Sequence, residues 1–376
     1  MKVSMTCGRS PLECVGGIEA HVTEVSRRLC IEGIDVKVLS TSTHLARPYY
    51  CFRDGVRYEL FPAIAPHEIY YFSPALYQGL SKENSQILHA HGYQDFSFLA
   101  ALKCKKKEQK LFVTIHSGYP STYITSLFNR YYSVLIRRLL RRADKILGVS
   151  KSDLELLGFD LADPANAEKL AVIPNGIDLS DFEEKHALPK SVPEENKFIL
   201  SIARLEKYKG HQFVIESYAQ LKKLRRARSS SAEVPKLVIV GSGAYRGQLE
   251  RLIRRSGLKK DILILTNLSR EQIIALYQRC ELFVLLSRFE SYGLAVADAI
   301  AAQKPVIVTL TSALRDFVLK GYCMGVNYPP RKEVVAELMD NALENSDRFI
   351  PQNVKLYTWD RVVADLKRLY KETLEQ

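Results

Sequence analysis

Ser287-Arg288-Phe289-Glu290-Ser291-Tyr292-Gly293-Leu294-Ala295-Val296-Ala297-Asp298-Ala299-Ile300-Ala301 joins an uncharged apolar run, Leu282–Leu286, to a stretch of small residues. A short apolar run bounded by a loop predicts a buried strand, and Leu294–Ala302 predicts an Ala-rich helix that packs closely on a sheet. Glu290 then falls in the loop beyond the strand's carboxyl end, and Asp298 on the second turn of the helix. The N–H groups around Tyr292, Gly293 and Leu294 open that helix, where free donors and the helix dipole favour phosphate. Two carboxyl groups at different depths can accept hydrogen bonds from sugar hydroxyls. An acid on a buried helix is costly without a partner, so Asp298 itself points to one.

The same strand-then-helix unit repeats outward along the chain. Candidate strands precede it at Lys2–Thr6, Asp35–Ser40, Ile87–Ala90, Leu111–His116, Lys145–Val149 and Leu170–Ile173, then at Phe198–Ala203, Leu237–Gly241 and Ile262–Leu265. Pro305–Thr309 follows it. Alternation of this kind predicts an α/β fold with parallel sheets covered by helices. Between the two sets, Phe182–Asn196 holds Pro189 and Pro193 among charged residues, which is linker composition. The expected organisation is an N-terminal doubly wound domain over residues 1–182, a second over 183–355, and a closing helix over 356–376. That helix carries Val362, Val363, Leu366, Leu369 and Tyr370 on one stripe. Open parallel sheets bind ligands beyond the carboxyl ends of their strands, so functional residues are sought there.

A chain of 376 residues suits two domains and excludes a disulfide miniprotein or a lone binding module. Hydrophobic residues at 47% and charged residues at 26% are globular proportions. Seven cysteines, an odd number without paired short spacings, read as reduced packing residues rather than as a disulfide or zinc framework. No apolar run reaches membrane-spanning length and no leader pattern is visible, so a cytoplasmic location is expected. The net charge of +12 is concentrated: Lys103 to Lys145 contains eleven basic residues against Glu108 and Asp144. A second basic cluster, Lys222 to Arg228, runs into Ser229, Ser230 and Ser231 as a helix end meeting a solvated loop.

Three further stretches carry chemistry. Gly16-Gly17 opens a helix whose stripe is Ile18, Val22, Val25 and Leu29, a place where a ligand can approach the backbone and the free N–H groups favour phosphate, so both glycines are candidate donor-binding residues. Ala203-Arg204-Leu205-Glu206-Lys207-Tyr208-Lys209-Gly210 follows a strand directly, and Arg204 with Lys209 can clamp a diphosphate, one by a bidentate fork and the other as a point charge. His116 ends a strand. His89 and His91 flank another strand end; their nearness suggests metal ligation, but this reading expects them on opposite faces with no third ligand, leaving His89 in the core and His91 beside the binding region.

Together these stretches resemble the retaining glycosyltransferases of family four, which have the two-Rossmann GT-B architecture. The resemblance covers nearly the whole chain. It rests on Gly16-Gly17 with Leu29 and Gly33 behind it, His89-Ala90-His91-Gly92, Thr114-Ile115-His116, Ile173-Pro174-Asn175-Gly176-Ile177-Asp178, Arg204 with Lys209-Gly210, Gly241-Ser242-Gly243, the Glu290 segment and the Trp359 helix. It implies two Rossmann-like domains facing each other across a cleft, with the C-terminal helix returning to the N-terminal domain.

The resemblance also implies a metal-independent transfer, with no cofactor, from a nucleotide-diphosphate sugar held by the C-terminal domain to an acceptor held by the N-terminal one. Arg204 and Lys209 match the diphosphate clamp, and Glu290 matches the first acid of the paired-glutamate motif, which holds the donor sugar. Asp298 matches the second, at the ribose, where the family usually has Glu; Ser291 stands where Gly is usual and Tyr292 where Phe is common. His116 matches the histidine that faces the transferred sugar. Gly243, Asn267 and Leu268 match the region around the nucleobase, and Asn175-Gly176 reads as the turn into the linker.

For the acceptor, Arg130, Arg137, Arg138, Arg141 and Arg142, interleaved with Tyr131, Tyr132 and aliphatic residues, form a basic amphipathic helix suited to an anionic membrane surface. Tyr70, Tyr71 and Phe72, and Tyr119, Tyr123 and Phe128, suit a lipid tail or a stacked sugar. The expectation is a lipid-linked acceptor at the cytoplasmic membrane face. A sugar-nucleotide epimerase of the same architecture and a binding protein without turnover are the rival readings. A nucleic-acid partner is not expected, because no recognised module accompanies the charge.

Overall fold

The computed structural model describes residues 1–14, 16–65, 70–116, 134–192, 197–228 and 233–376. The chain divides into two compact units, Met1–Gly176 with Tyr357–Gln376, and Ile177–Leu356.

The first unit is built on an eight-stranded sheet. Its strands are β1 (Lys2–Arg9), β2 (Asp35–Ser42), β3 (Tyr49–Arg53), β4 (Val56–Pro62), β5 (Ile87–His91), β6 (Lys110–Ile115), β7 (Lys145–Gly148) and β8 (Leu170–Val172). They lie in the order β3-β4-β2-β1-β5-β6-β7-β8. Every pairing is parallel except the β3–β4 hairpin. Asp54 and Gly55, at φ 50° and 80°, make its two-residue turn, and positive φ at both positions is what a type I′ hairpin requires. This hairpin was not among the expected strands. The chain leaves β1 toward β2 on one side and returns to β5 on the other, so the strand order switches between β1 and β5.

The second unit repeats the plan with six strands: β9 (Phe198–Ile202), β10 (Lys236–Val240), β11 (Ile262–Leu265), β12 (Leu282–Leu285), β13 (Val306–Thr309) and β14 (Met324–Val326). The order is β11-β10-β9-β12-β13-β14, all parallel, with the switch between β9 and β12. Strand interiors such as Val284, Leu285, Ile307 and Val308 are buried, because helices cover both faces. β14 is only Met-Gly-Val, too short to show a strand pattern in the sequence.

The helix Trp359–Glu375 is capped by Thr358, whose Oγ1 accepts from Arg361 N at 3.3 Å. It buries Trp359, Val362, Val363, Leu366 and Tyr370 in the same core as Val22, Val25 and Leu29 of the helix Gly17–Ile31, so the last twenty residues complete the first unit. Gly176 packs against the backbone of Trp359 where a Cβ has no room.

The basic amphipathic stretch is described only in part. Residues 134–140 are helical, with Ile136 and Leu140 buried and Val134 and Leu135 half exposed. Arg138, Arg141 and Arg142 are exposed, the last two in the turn after the helix rather than on it, and Arg137 donates from Nη1 to Gly158 O at 3.2 Å. Arg130, Tyr119, Tyr123, Phe128, Tyr131, Tyr132, Pro193 and the serine run 229–231 lie outside the described residues. Tyr70 and Phe72 are half exposed, whereas Tyr71 is buried. Among the described residues no helix is long and apolar enough to cross a membrane.

Candidate active site

β9 and β12 are neighbours at the switch point, so the loops leaving their carboxyl ends run side by side. Arg288 N donates to Tyr208 O at 2.7 Å and ties them together. Gly210 makes the approach possible: its φ is +77°, and a Cβ there would strike Leu286 O. Lys209 Nζ, carried on the first loop, donates to Glu290 Oε1 on the second at 2.7 Å, with both side chains only 13% and 12% exposed. Ser287 Oγ donates to the same oxygen at 2.8 Å, and Glu290 N donates to Ser312 Oγ at 2.8 Å. Thr309 and Thr311 donate from their hydroxyls to Ser287 O. This polar brace after β13 was missed in the sequence; its signal is the run Thr309-Leu310-Thr311-Ser312 directly beyond a strand.

Arg204 projects from the exposed end of the β9 loop and donates to the Tyr208 hydroxyl. The Arg204 guanidinium and the Lys209 ammonium stand 6.0 and 5.1 Å from the centre of the Tyr208 ring, so one aromatic ring attracts both cations. Gly241-Ser242-Gly243 backs this loop. Both glycines have φ near +154°, a Cβ at either would meet the carbonyls of Ala203 or Leu205, and Leu205 N donates to Ser242 O at 2.8 Å. The helix Leu294–Ala301 begins at Gly293, φ +94°, without a side-chain cap, so its first N–H groups point past the helix end. Tyr292 packs edge-on against Phe317 and Leu294 against the core beneath.

Arg204, Lys209 and Glu290 are thus brought together, with Tyr292, Gly293 and Leu294 on the Glu290 loop. Asn267, φ +55°, is exposed after β11, and Leu268 beside it packs on the core. Asp298 is placed differently from expectation. Both its oxygens are taken by Arg270, at 2.6 and 3.1 Å, and Arg270 also reaches Asp181 at 3.2 Å. Burial pushes the Asp298 carboxyl up and the Arg270 guanidinium opposes this. The partner demanded by an acid on a buried helix is therefore a protein cation. Arg270 was missed because it stands, as an ordinary surface charge would, at the start of a helix capped by Ser269.

The first unit presents a second constellation at its own switch point. His91 ends β5, His116 follows β6, and the helix Gly17–Ile31 carries His21 in its first turns. His21 lies 4.9 Å from His116 and 5.3 Å from His91, ring centre to ring centre, and His91 lies 5.7 Å from His116. The expected opposition of His89 and His91 is wrong: residues two apart on a strand share a face, and the two rings stack at 4.2 Å. His91 is fully buried rather than open beside a binding region, since His21, His89 and His116 surround it. His89 is core as expected, held by Thr114 Oγ1 at 2.7 Å and by the Tyr370 hydroxyl. Burial pushes His21 down to about 4 and His89 to about 3, and holds His91 and His116 well below the ordinary histidine range, so at neutral pH all four are uncharged. Gly16 and Gly17 open the His21 helix without a side-chain cap and belong to this unit, not to the one carrying Lys209 and Glu290.

Comparison with known proteins places the chain in a family. Residues 182–356 match the family model described as Glycosyl transferases group 1, and residues 15–181 match Glycosyltransferase Family 4. An uncharacterised glycosyltransferase of Methanocaldococcus jannaschii is 25% identical, covering 100% of this chain and 99% of its own. The GDP-mannose:cellobiosyl-diphosphopolyprenol alpha-mannosyltransferase of Xanthomonas oryzae is 23% identical, covering 96% of this chain and 94% of its own. Among solved structures, Anabaena HepE in complex with UDP and glucose superposes with a TM-score of 0.75 at 16% identity, covering 99% of each chain, which is a likeness of fold. The two family models adjoin and together span residues 15–356, and the chain belongs to the group 1, family four glycosyltransferases with the GT-B fold.

Proposed function

We propose that this glycosyltransferase moves a sugar from a UDP- or GDP-sugar to a lipid-linked acceptor at the cytoplasmic membrane face, with retention of anomeric configuration and without a bound metal. The observation that carries the reading is the Lys209–Glu290 pair, set at the strand-order switch where doubly wound sheets bind nucleotides. In this reading Arg204 and Lys209 offset the charge that develops on the departing nucleotide diphosphate, the work a divalent cation does elsewhere. Lys209 has three N–H donors, so one can stay on Glu290 while others meet phosphate. Glu290, fixed by Ser287 and by its own N–H on Ser312, offers acceptor oxygens to the donor sugar's hydroxyls. The open N–H groups at the start of Leu294–Ala301 add fixed positive potential for the diphosphate. Gly243, Asn267 and Leu268 border the nucleobase in this reading, and His116 is the residue of the first unit assigned to the transferred sugar.

Two observations support the acceptor class. The Xanthomonas relative's name specifies a polyprenol diphosphate acceptor, and Arg138, Arg141 and Arg142 are exposed close to half-exposed Val134 and Leu135. Basic and apolar groups together suit an anionic lipid surface. The test is radiolabelled transfer from UDP- and GDP-sugars to polyprenyl-diphosphate-linked and to soluble sugar acceptors in the presence of EDTA, with the product anomer read by NMR. Transfer to the lipid-linked acceptor with the donor's anomeric configuration is expected. Inversion, a requirement for added metal, or release of an epimerised sugar nucleotide without acceptor would contradict it.

A further inference from the structure

We propose that His21, His91 and His116 form a binding site for one borderline-soft divalent cation of the Zn2+ class, and that its occupancy inhibits the enzyme by withholding His116 from substrate. The second half rests on the assignment of His116 given above.

Three features carry the site. Each of the three histidines presents a ring nitrogen, and the three nitrogens lie within 4.8 Å of one another. His116 Nε2 stands 3.5 Å from His91 Nδ1. Two nitrogens bound to one zinc at tetrahedral angles are about 3.4 Å apart, so this edge is already formed, and modest ring rotation closes the others. Moreover, His21 Nε2 is buried without a hydrogen-bond partner. Burying a polar atom unpaired costs free energy, and a bound cation removes that cost.

The surroundings fit ligation. Asn175 Oδ1 lies 2.8 Å from His21 Nδ1. An amide oxygen only accepts, so Nδ1 carries the proton and the lone pair of His21 is on Nε2, the atom left without a partner. Such an outer hydrogen bond, fixing tautomer and ring orientation, is the usual companion of a metal-binding imidazole. His91 is steadied from behind by His89, itself anchored on Thr114 and Tyr370. His21 and His91 are buried while His116 is partly open to solvent, which leaves a way in. Three neutral imidazoles select Zn2+, Ni2+, Co2+ or Cu2+ and discriminate against Mg2+ and Ca2+, which prefer oxygen.

Chelator-washed full-length protein titrated with Co2+ is expected to show a visible d–d absorption that saturates at one equivalent and is displaced by Zn2+. His21→Gln and His91→Gln are each expected to weaken binding at least 100-fold, and Asn175→Ala about 10-fold through the lost outer hydrogen bond. Absence of the absorption, or unchanged affinity in all three variants, overturns the site. Should a histidine variant fail to fold, wild-type histidine 15N NMR decides: Zn2+ must move the resonances of three histidine rings together, and shifts confined to exposed histidines overturn the site. Zn2+ at the same concentration is expected to inhibit transfer while Mg2+ does not. Binding without inhibition overturns the role given to His116 and leaves the cation site standing.

Discussion

Lys209 Nζ stands 2.7 Å from Glu290 Oε1, although 81 residues separate the two in the chain. Neither loop brings them together alone. β9 and β12 are adjacent because the strand order reverses there, and Gly210 lets one loop lie on the other. The pair is therefore a product of topology, and its removal tests chemistry and architecture separately.

Lys209→Ala and Glu290→Ala are each expected to fold and to lose about 10²–10³ in kcat, the usual effect of deleting one group that stabilises developing charge. The double variant should lose less than the product of the two, because the residues contact each other. Steady-state kinetics check this, and near-normal turnover in either single variant contradicts the site assignment.

Gly210→Ala tests the architecture. The substitution combines a left-handed φ of +77° with a collision against Leu286 O, so it is expected to cost about 2–4 kcal/mol. Denaturant unfolding measures it. The same change at Gly257, also at positive φ but with open space around its Cβ, should cost about 1 kcal/mol.

Arg270→Ala leaves Asp298 buried without its bidentate partner, while Asp181 is more exposed and loses little. Because Arg270 is itself partly open to solvent, the expected destabilisation is about 1–3 kcal/mol rather than the larger cost of a fully buried pair. Adding Asp298→Asn should recover part of it. A double variant as unstable as the sum of the singles contradicts the pairing.

His211 gives a pH dependence. Its Nε2–H donates to Ala203 O and its Nδ1 accepts from Ser201, so the buried ring is neutral, and burial lowers its pKa to about 4. As pH falls below 6.5 the unfolded chain takes up the proton first, and stability is lost from there down to about 4. The loss attributable to this residue is at most about 3 kcal/mol. His211→Gln should flatten the stability profile over that window by up to one proton; a folded variant with an unchanged slope contradicts the assignment.

The sequence was most legible where strands are apolar and loops carry glycine. Most parallel strands, the Gly16-Gly17 helix start, the closing helix and the Arg204, Lys209 and Glu290 loops all follow from local pattern. The β3–β4 hairpin was not read, although Asp54-Gly55 is a strong turn signal and Tyr49–Arg53 is strand-like in composition, because an antiparallel pair falls outside the strand-then-helix alternation. Asp298 was read as facing ligand because its partner Arg270 lies 28 residues away with no local mark. The histidine group is not legible in the sequence, because His21 and His116 reach His91 only through the crossing of a helix and two strands, while His89 and His91, two apart on a strand, share a face.

The most direct test of the central claim is the melting temperature of the purified protein with UDP, GDP, ADP and their sugar conjugates, without metal, in wild type and in Lys209→Ala. Ligand binding to the native state raises the melting temperature by mass action. The account predicts a shift with UDP or GDP ligands in the wild type that is lost in Lys209→Ala. A shift of equal size in both proteins, or none with any nucleotide, contradicts the assignment of Lys209 and Glu290 as the donor site.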